Sequence, residues 1–184
     1  MKTIYETERL VLKILDSSDS KLVLDYYIRN KKFLLEWEAE KEESFYTEKH
    51  LSDRLEKDLE DIKRGSCVRL WILKKEDPDK VIGTVGFTNI VRGAFLSCYL
   101  GYKLDEEEIN KGYMTEAISK GIEIMFDEFK LHRIEANIMP KNIRSMRVVE
   151  KLGFYNEGLS KKYLKINGIW EDHVHMVTLN KELE

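Results

Sequence analysis

Between residues 102 and 154 the chain alternates the patterns of strand and helix, and this order restricts the folds it can adopt. One strand ends at Leu104, a helix follows Gly112, the apolar alternation of 133–139 indicates a second strand, and Gly153 closes a second helix. Within one sheet, a strand–helix–strand unit joins two parallel strands by a right-handed crossover. The segment therefore predicts two parallel strands with a helix packed against them.

A turn over Asn110, Lys111 and Gly112 precedes the first of these helices. The first N–H groups of a helix have no partner within the helix, and the helix dipole adds partial positive charge there. Such a helix start suits a phosphate or pyrophosphate group. A single glycine before a helix is also common where nothing binds, so on these residues alone both interpretations stay open.

Three successive strands are predicted at 68–74, 81–91 and 95–104, the last being the one that ends at Leu104, with a turn over 76–80. Strands that follow one another so closely form an antiparallel meander. The glycines Gly83 and Gly86 lie inside the second of these strands, where a glycine often marks a close approach of another backbone.

The two ends of the chain complete the order of elements. An opening strand is predicted at 7–15, helices follow the N-cap candidates Asp16 and Thr47, and Asn167-Gly168 is a strong hairpin signal near the C-terminus. We therefore predict an α+β fold, a mixed and mostly antiparallel central sheet flanked by about four helices.

Length, charge and cysteine content exclude several classes of protein. Residues 1–184 are expected to form a single domain, and the net charge of −3 gives no nucleic-acid footprint. No apolar run reaches the roughly 18 residues of a membrane span, and the first residues lack the apolar core of a signal peptide. Cys67 and Cys98 stand alone, which argues against a metal site or disulfide framework. We expect a cytoplasmic protein with no nucleic-acid, membrane or metal partner.

Charge is distributed unevenly along the chain. Residues 36–61 contain eleven acidic and four basic side chains, whereas 141–165 contain seven basic and two acidic ones. These segments can be two solvated faces, or one end that attracts a cation and another that attracts an anion.

Five short motifs, in order, resemble one known family. They are Glu-Arg-Leu at 8–10, Gly-Tyr-Met-Thr-Glu-Ala at 112–117, His-Arg-Ile-Glu-Ala at 132–136, Asn-Ile-Arg-Ser at 142–145 and Leu-Gly-Phe-Tyr-Asn-Glu-Gly at 152–158. Together they resemble the GNAT superfamily of acyl-coenzyme A-dependent N-acetyltransferases, in particular its Rim-type branch, the ribosomal-protein alanine N-acetyltransferases and their relatives. The resemblance implies that the two parallel strands splay apart.

The phosphate loop departs from the usual family pattern, Gln/Arg-Gly-x-Gly-x-Gly/Ala. Ile109 replaces the leading Gln or Arg, Asn110 the first glycine and Met114 the last small residue. Asparagine tolerates positive φ, and backbone N–H groups bind pyrophosphate whatever the side chain. We therefore expect the loop still to bind pyrophosphate, with an altered affinity.

The resemblance implies a reaction in which a primary amine attacks the thioester of acetyl-CoA directly. Backbone groups of the first splayed strand would hold the pantetheine arm, the loop would hold the pyrophosphate, and the second helix would line the thiol end. The cofactor-binding residues implied in this way are Tyr102, Lys103, Leu104, Ile109, Asn110, Lys111, Gly112, Tyr113, Met114, Thr115, Asn142 and Ser145.

Two catalytic residues follow from the same resemblance. Ser145 would protonate the leaving thiolate, although a helix hydroxyl can equally bond its own backbone. Glu135 would be the general base, with an ion pair to Arg133 as the alternative. His173 and His175 share a face of the last strand and are interpreted as ordinary surface or sheet residues.

The acceptor would bind between the first two helices and the final hairpin, with Trp37, Tyr46 and Trp170 as candidate walls. The acceptor can be a protein or peptide N-terminus or a small-molecule amine, and the enzyme a monomer or homodimer. The alternative function is a non-catalytic module that binds and senses acyl-CoA.

Overall fold

The computed structural model describes residues 1–184 and contains one eight-stranded sheet and four α-helices. The strands are Ile4–Glu6 (β1), Leu10–Lys13 (β2), Val68–Lys74 (β3), Asp77–Val91 (β4), Ser97–Leu104 (β5), Arg133–Ile138 (β6), Tyr155–Ile166 (β7) and Ile169–Leu179 (β8). The helices are Ser20–Leu34 (α1), Glu48–Lys63 (α2), Tyr113–Glu123 (α3) and Ile143–Lys151 (α4). The strand order β1-β2-β3-β4-β5-β6-β8-β7 confirms the predicted fold class.

The parallel pair β5 and β6 is short, and the two strands then separate. Their register runs from Ser97 opposite Arg133 to Tyr99 opposite Glu135, and no later residue of β5 pairs with β6. All other neighbouring strands are antiparallel. This confirms the splayed pair, and it leaves one edge of β5 open in the middle of the sheet.

Helices cover both faces of the sheet, because strand residues alternate between two apolar clusters. On one face Ile118 of α3 and Val149 of α4 belong to the larger cluster. On the other face Tyr26 of α1 and Leu51 of α2 pack with Trp71. The splay therefore opens between two helical layers. None of the helices combines the length and apolarity needed to cross a lipid bilayer.

Two strand assignments differ from the predictions. β4 begins at Asp77, so the predicted turn over 76–80 is wrong and the chain turns at Lys75 and Glu76. Irregular register next to Leu73 accommodates Pro78 inside the strand, as a bulge can. The strand β1 was not predicted, because three residues are too few for a periodic pattern.

Gly121 is required by the packing of α3 on the sheet. A Cβ atom at Gly121 would lie 2.7 Å from Cζ of Phe87, a fully buried ring. We expect Gly121→Val to lower the free energy of unfolding by about 3 kcal/mol, at the upper end of the usual cost of overpacking a core. Urea denaturation measures the change.

Ser119→Val is the matched control, since it introduces the same side chain into the same helix at an exposed position. It should change stability by no more than about 0.5 kcal/mol. Equal stability losses in both variants would contradict the packing argument.

Candidate active site

The splay between β5 and β6 opens a cleft of about 420 Å³. It runs from the turn before α3, past α4, to the segment after α1. Ten of the predicted cofactor-binding residues line it: Tyr102, Lys103, Leu104, Ile109, Asn110, Gly112, Met114, Thr115, Asn142 and Ser145. The side chains of Lys111 and Tyr113 lie outside. Of the basic residues in 141–165, Arg144, Arg147 and Lys151 also reach the cleft.

The open edge of β5 presents backbone groups to the cleft. The carbonyl of Lys103 points toward β4, since a Cβ on Gly83 would lie 2.5 Å from its oxygen. The N–H of Asp105 also points that way, donating to Ile82 at 2.7 Å. Because backbone groups of successive strand residues point to opposite edges, those of Tyr102 and Leu104 point into the splay.

The turn before α3 has the backbone conformation of an anion-binding loop. Asn110 and Gly112 both adopt positive φ, 61° and 84°, and Gly112 caps the helix without a side-chain hydrogen bond. The first N–H groups of α3 therefore have no side-chain cap and lie at the cleft wall. The asparagine that replaces the family's first glycine takes up the required conformation.

The N-terminal segment holds this turn in place. The Arg9 guanidinium donates to Glu116 at 2.7 Å and to the carbonyl of Lys111 at 2.9 Å, and it stacks on the Tyr113 ring. The hydroxyl of Thr7 donates to the other oxygen of Glu116 at 2.6 Å. These contacts explain why the Glu-Arg-Leu and Thr-Glu-Ala motifs occur together, although they lie more than 100 residues apart.

Glu116 should make these contacts with Thr7 and Arg9 sensitive to acid. Burial raises its pKa, but hydrogen bonds from Thr7 and Arg9 outweigh burial, so the pKa lies below its ordinary value. A carboxylate with a lowered folded-state pKa stabilises the protein above the unfolded pKa of about 4.3, and the contribution is lost as pH falls through the folded value. We expect the wild type to be more stable than Glu116→Gln at pH 7 and the difference to shrink below pH ~4. Thermal unfolding of both proteins between pH 7 and pH 3 measures it, and a constant difference would contradict the assignment.

Ser145 and Tyr102 meet in the cleft, beside the start of α4. The Ser145 hydroxyl donates to the Tyr102 phenol oxygen at 2.6 Å, and the phenol donates to the Ser145 carbonyl at 2.8 Å. Asn142 accepts from the Ser145 N–H at 3.2 Å and begins α4, as predicted. Burial raises the pKa of Tyr102, although the bond from Ser145 opposes the rise, so the phenol stays protonated at neutral pH.

An ion-pair cluster lines the opposite side of the cleft. Lys103 contacts Glu38, which also accepts from Lys41 at 2.5 Å. Burial lowers the pKa of Lys103, an effect that Glu38 opposes. Tyr102 and Lys103 are neighbours in a strand, so their side chains point to opposite faces of the sheet. The cleft is therefore lined from both faces.

Glu135 is fully engaged within the sheet. One carboxylate oxygen contacts Arg133 at 2.8 Å and the other contacts His175 Nδ1 at 2.6 Å, while His175 Nε2 lies 2.6 Å from the Ser160 hydroxyl. Burial raises the pKa of Glu135, but these partners outweigh burial and lower it. Glu135 is not among the residues that line the cleft. Its role as general base stays a prediction.

Only one of the three predicted acceptor walls reaches the cleft. Trp37 lines it, whereas Tyr46 packs against Lys31 and Trp170 is exposed at the end of the final hairpin. The hairpin instead contacts the segment that follows α1. Asn167 accepts from the Glu40 N–H at 2.7 Å and donates to the carbonyl of Leu35.

Sequence reasoning missed two polar residues of the cleft, Asn137 and His173. Glu38 belongs to the acidic segment 36–61, but the sequence did not show which carboxylate of that segment reaches the cleft. His173 lies within β8, as the prediction of a surface or sheet residue allows, but only 4% of it is exposed and it lines the cleft. No group of three His, Cys, Asp or Glu side chains lies close enough to hold a metal ion.

The Acetyltransferase (GNAT) domain family matches residues 9–155 of this chain. The chain belongs to the GNAT acetyltransferase family. This confirms the resemblance seen in the motifs and establishes the enzyme class, an N-acetyltransferase.

Two relatives of this GNAT acetyltransferase match it over at least 89% of their own length. It is 40% identical to the [Ribosomal protein uS5]-alanine N-acetyltransferase of Escherichia coli (strain K12), covering 94% of this chain and 89% of the relative. It is 37% identical to the Probable N-acetyltransferase YjcK of Bacillus subtilis (strain 168), covering 100% and 97%. The crystal structure of Ribosomal-protein-S5-alanine Acetyltransferase from Vibrio fischeri superposes with a TM-score of 0.94, at 36% identity and full coverage of both chains.

Proposed function

We propose that this enzyme transfers the acetyl group of acetyl-CoA to the α-amine at the N-terminus of a protein, with alanine as the preferred first residue. The observation that carries the proposal is the cleft through the splayed strands, lined on one face by Ser145 and Tyr102 and on the other by Lys103 and Glu38. The likeness to two proteins named as ribosomal-protein alanine acetyltransferases supports the acceptor class. A ribosomal-protein acceptor would place the enzyme in the cytoplasm.

The residues present fit acetyl-CoA as the acetyl donor. The start of α3 offers uncapped N–H groups to a pyrophosphate, and Gly112 supplies the positive φ of the turn before it. Arg144, Arg147 and Lys151 add positive charge for a further phosphate. Backbone groups of Tyr102 and Leu104 on the open edge of β5 are free to bond the amides of the pantetheine arm. Acetyl-CoA supplies an activated acyl group as a thioester.

The chain's own residues would then serve three steps. The attacking amine forms a C–N bond at the thioester carbonyl, and an N–H of the open β5 edge donates to the oxygen that gains negative charge. The C–S bond breaks, and the Ser145 hydroxyl donates its proton to the departing sulfur. The Tyr102 phenol turns from the Ser145 carbonyl to replace that proton, and water reprotonates the phenol when CoA leaves. A base removes one proton from the amine nitrogen.

An α-amine suits this site better than a lysine side chain. Its ordinary pKa is about 8, against about 10.4 for lysine, so a much larger fraction is neutral and nucleophilic at pH 7.5. The acidic segment 36–61 attracts the charged form of either amine to the cleft.

Three acceptors offered at equal concentration with acetyl-CoA test the proposal. They are a peptide with a free N-terminal alanine, the same peptide with a blocked N-terminus and an internal lysine, and a set of small amines. We expect release of CoA with the first only, and mass spectrometry should place the acetyl group on the α-nitrogen. Acetylation of lysine or of a small amine instead would refute the acceptor assignment. Tight binding of acetyl-CoA without turnover on any amine would favour the sensing module.

A further inference from the structure

His173 is the one imidazole in the cleft, and its hydrogen bonding fixes its proton. Nδ1 lies 3.1 Å from the carbonyl oxygen of Glu171. A carbonyl oxygen only accepts, so Nδ1 carries the hydrogen in the neutral ring and Nε2 carries the free lone pair. Nε2 has no hydrogen-bond partner within the protein, and it keeps some solvent-accessible surface. The lone pair is therefore open to the cleft.

The strand register places His173 on the acceptor face. His175 lies opposite Asn137 of β6, so their side chains share a face, and His173 is two residues along the same strand. Glu135 lies two residues before Asn137 and opposite Tyr99, which shares a face of β5 with Lys103. His173 is therefore on the same face as Lys103 and Glu38, opposite Ser145.

The surroundings of His173 are polar, and the site contains an unsatisfied acceptor. The Tyr163 ring packs beside it, 5.4 Å between centroids. Asn137, which also lines the cleft, has a buried side-chain oxygen without any partner. An amine that enters the cleft here would meet His173 Nε2 at this wall. Glu135, by contrast, has both oxygens occupied.

We propose that His173 is the general base of the transfer, an inference that rests on the proposed function. Its Nε2 takes the proton that the amine nitrogen gives up as the C–N bond forms, and the ring becomes an imidazolium. The Glu171 carbonyl keeps the ring orientation fixed throughout, since Nδ1–H donates to it in both states. The imidazolium then passes its proton to water when the acetylated chain leaves. No other reactant is needed.

Several titratable groups surround this imidazole and enter any pH profile. Tyr163 of β7 contacts it, His175 follows two residues along β8, and Lys103 and Glu38 share the cleft. A histidine base predicts that kcat/KM rises with pH along a limb that belongs to the imidazole.

His173→Asn is the decisive variant, because the asparagine amide can still donate to the Glu171 carbonyl but offers no base in place of Nε2. We expect kcat/KM for the alanine peptide to fall about 10²- to 10⁴-fold, the usual contribution of a general base. The acidic limb of the pH profile should disappear, and the Kd for acetyl-CoA should stay within about twofold. His132→Asn is the control, since His132 pairs with Glu184 outside the cleft.

Turnover by His173→Asn within threefold of the wild type, with an unchanged pH profile, would overturn the assignment. So would loss of the acidic limb in Glu135→Gln but not in His173→Asn. A second readout does not require turnover: ¹⁵N NMR of the intact protein should find neutral His173 protonated on Nδ1. A proton on Nε2 would refute the inference even if the wild type acetylated no amine, an outcome that by itself counts against the proposed function.

Discussion

Replacing Gly112 with valine is expected to weaken acetyl-CoA binding about 10- to 100-fold, from backbone strain of about 1–3 kcal/mol. Gly112 has φ +84°, which a β-branched residue adopts only at a cost, and its Cβ would lie 3.3 Å from Arg9 Nη2. The loop can relieve the strain only by turning its N–H groups away from the cleft and by loosening the contacts of Arg9 with Glu116 and the Lys111 carbonyl. Isothermal titration with acetyl-CoA measures the loss.

Gly65→Val is the matched control for this experiment. Gly65 has a similar φ of +72° at the end of α2, with nothing within 4 Å of an added Cβ, and it lies outside the cleft. It should lose comparable stability and keep full affinity for acetyl-CoA. Wild-type affinity in Gly112→Val would mean that the pyrophosphate binds elsewhere.

Ser145→Ala is expected to lower kcat about 10²- to 10⁴-fold while leaving the Kd for acetyl-CoA nearly unchanged. The substitution removes the hydroxyl that would protonate the sulfur and leaves the Tyr102 phenol still bonded to the residue-145 carbonyl. Helix α4 keeps its cap, because Asn142 bonds the backbone N–H and not the hydroxyl. Steady-state kinetics with the alanine peptide gives both constants.

Two further variants sharpen the result. Ser119→Ala removes an exposed hydroxyl from α3 and should leave kcat unchanged. Tyr102→Phe should retain partial activity if Ser145 is the direct donor and the phenol only resupplies it. Activity lost in Tyr102→Phe but kept in Ser145→Ala would assign the direct proton donor to the phenol instead.

Local signals in the sequence were sufficient for much of the fold and for the donor end of the site. Asn142 caps α4 through a residue three positions away, and Gly112 takes the positive φ that its turn demands. Apolar periodicity predicted the helices and most strands, since burial of one face acts at every residue. These features depend on neighbours in the chain, so a single sequence contains them.

The acceptor side could not be predicted in this way, because its contacts join distant residues. Tyr102 meets Ser145 across 43 positions and Lys103 meets Glu38 across 65. Nothing near His173 in the sequence distinguishes it from His175, two residues later. What separates them is that Nδ1 of His173 contacts a backbone carbonyl whereas His175 is bonded at both nitrogens. Which nitrogen stays free depends on the assembled sheet.

The separation of β5 and β6 also gives the cleft two approaches, one from each face of the sheet. The gap passes through the sheet, with the loop before α3 on one side and the cluster around Lys103 on the other. On the proposed function, donor and acceptor would approach the cleft from opposite faces of the sheet and need not compete for one entrance. Both could then be bound at once, and the acetyl group would pass directly from one to the other in a ternary complex.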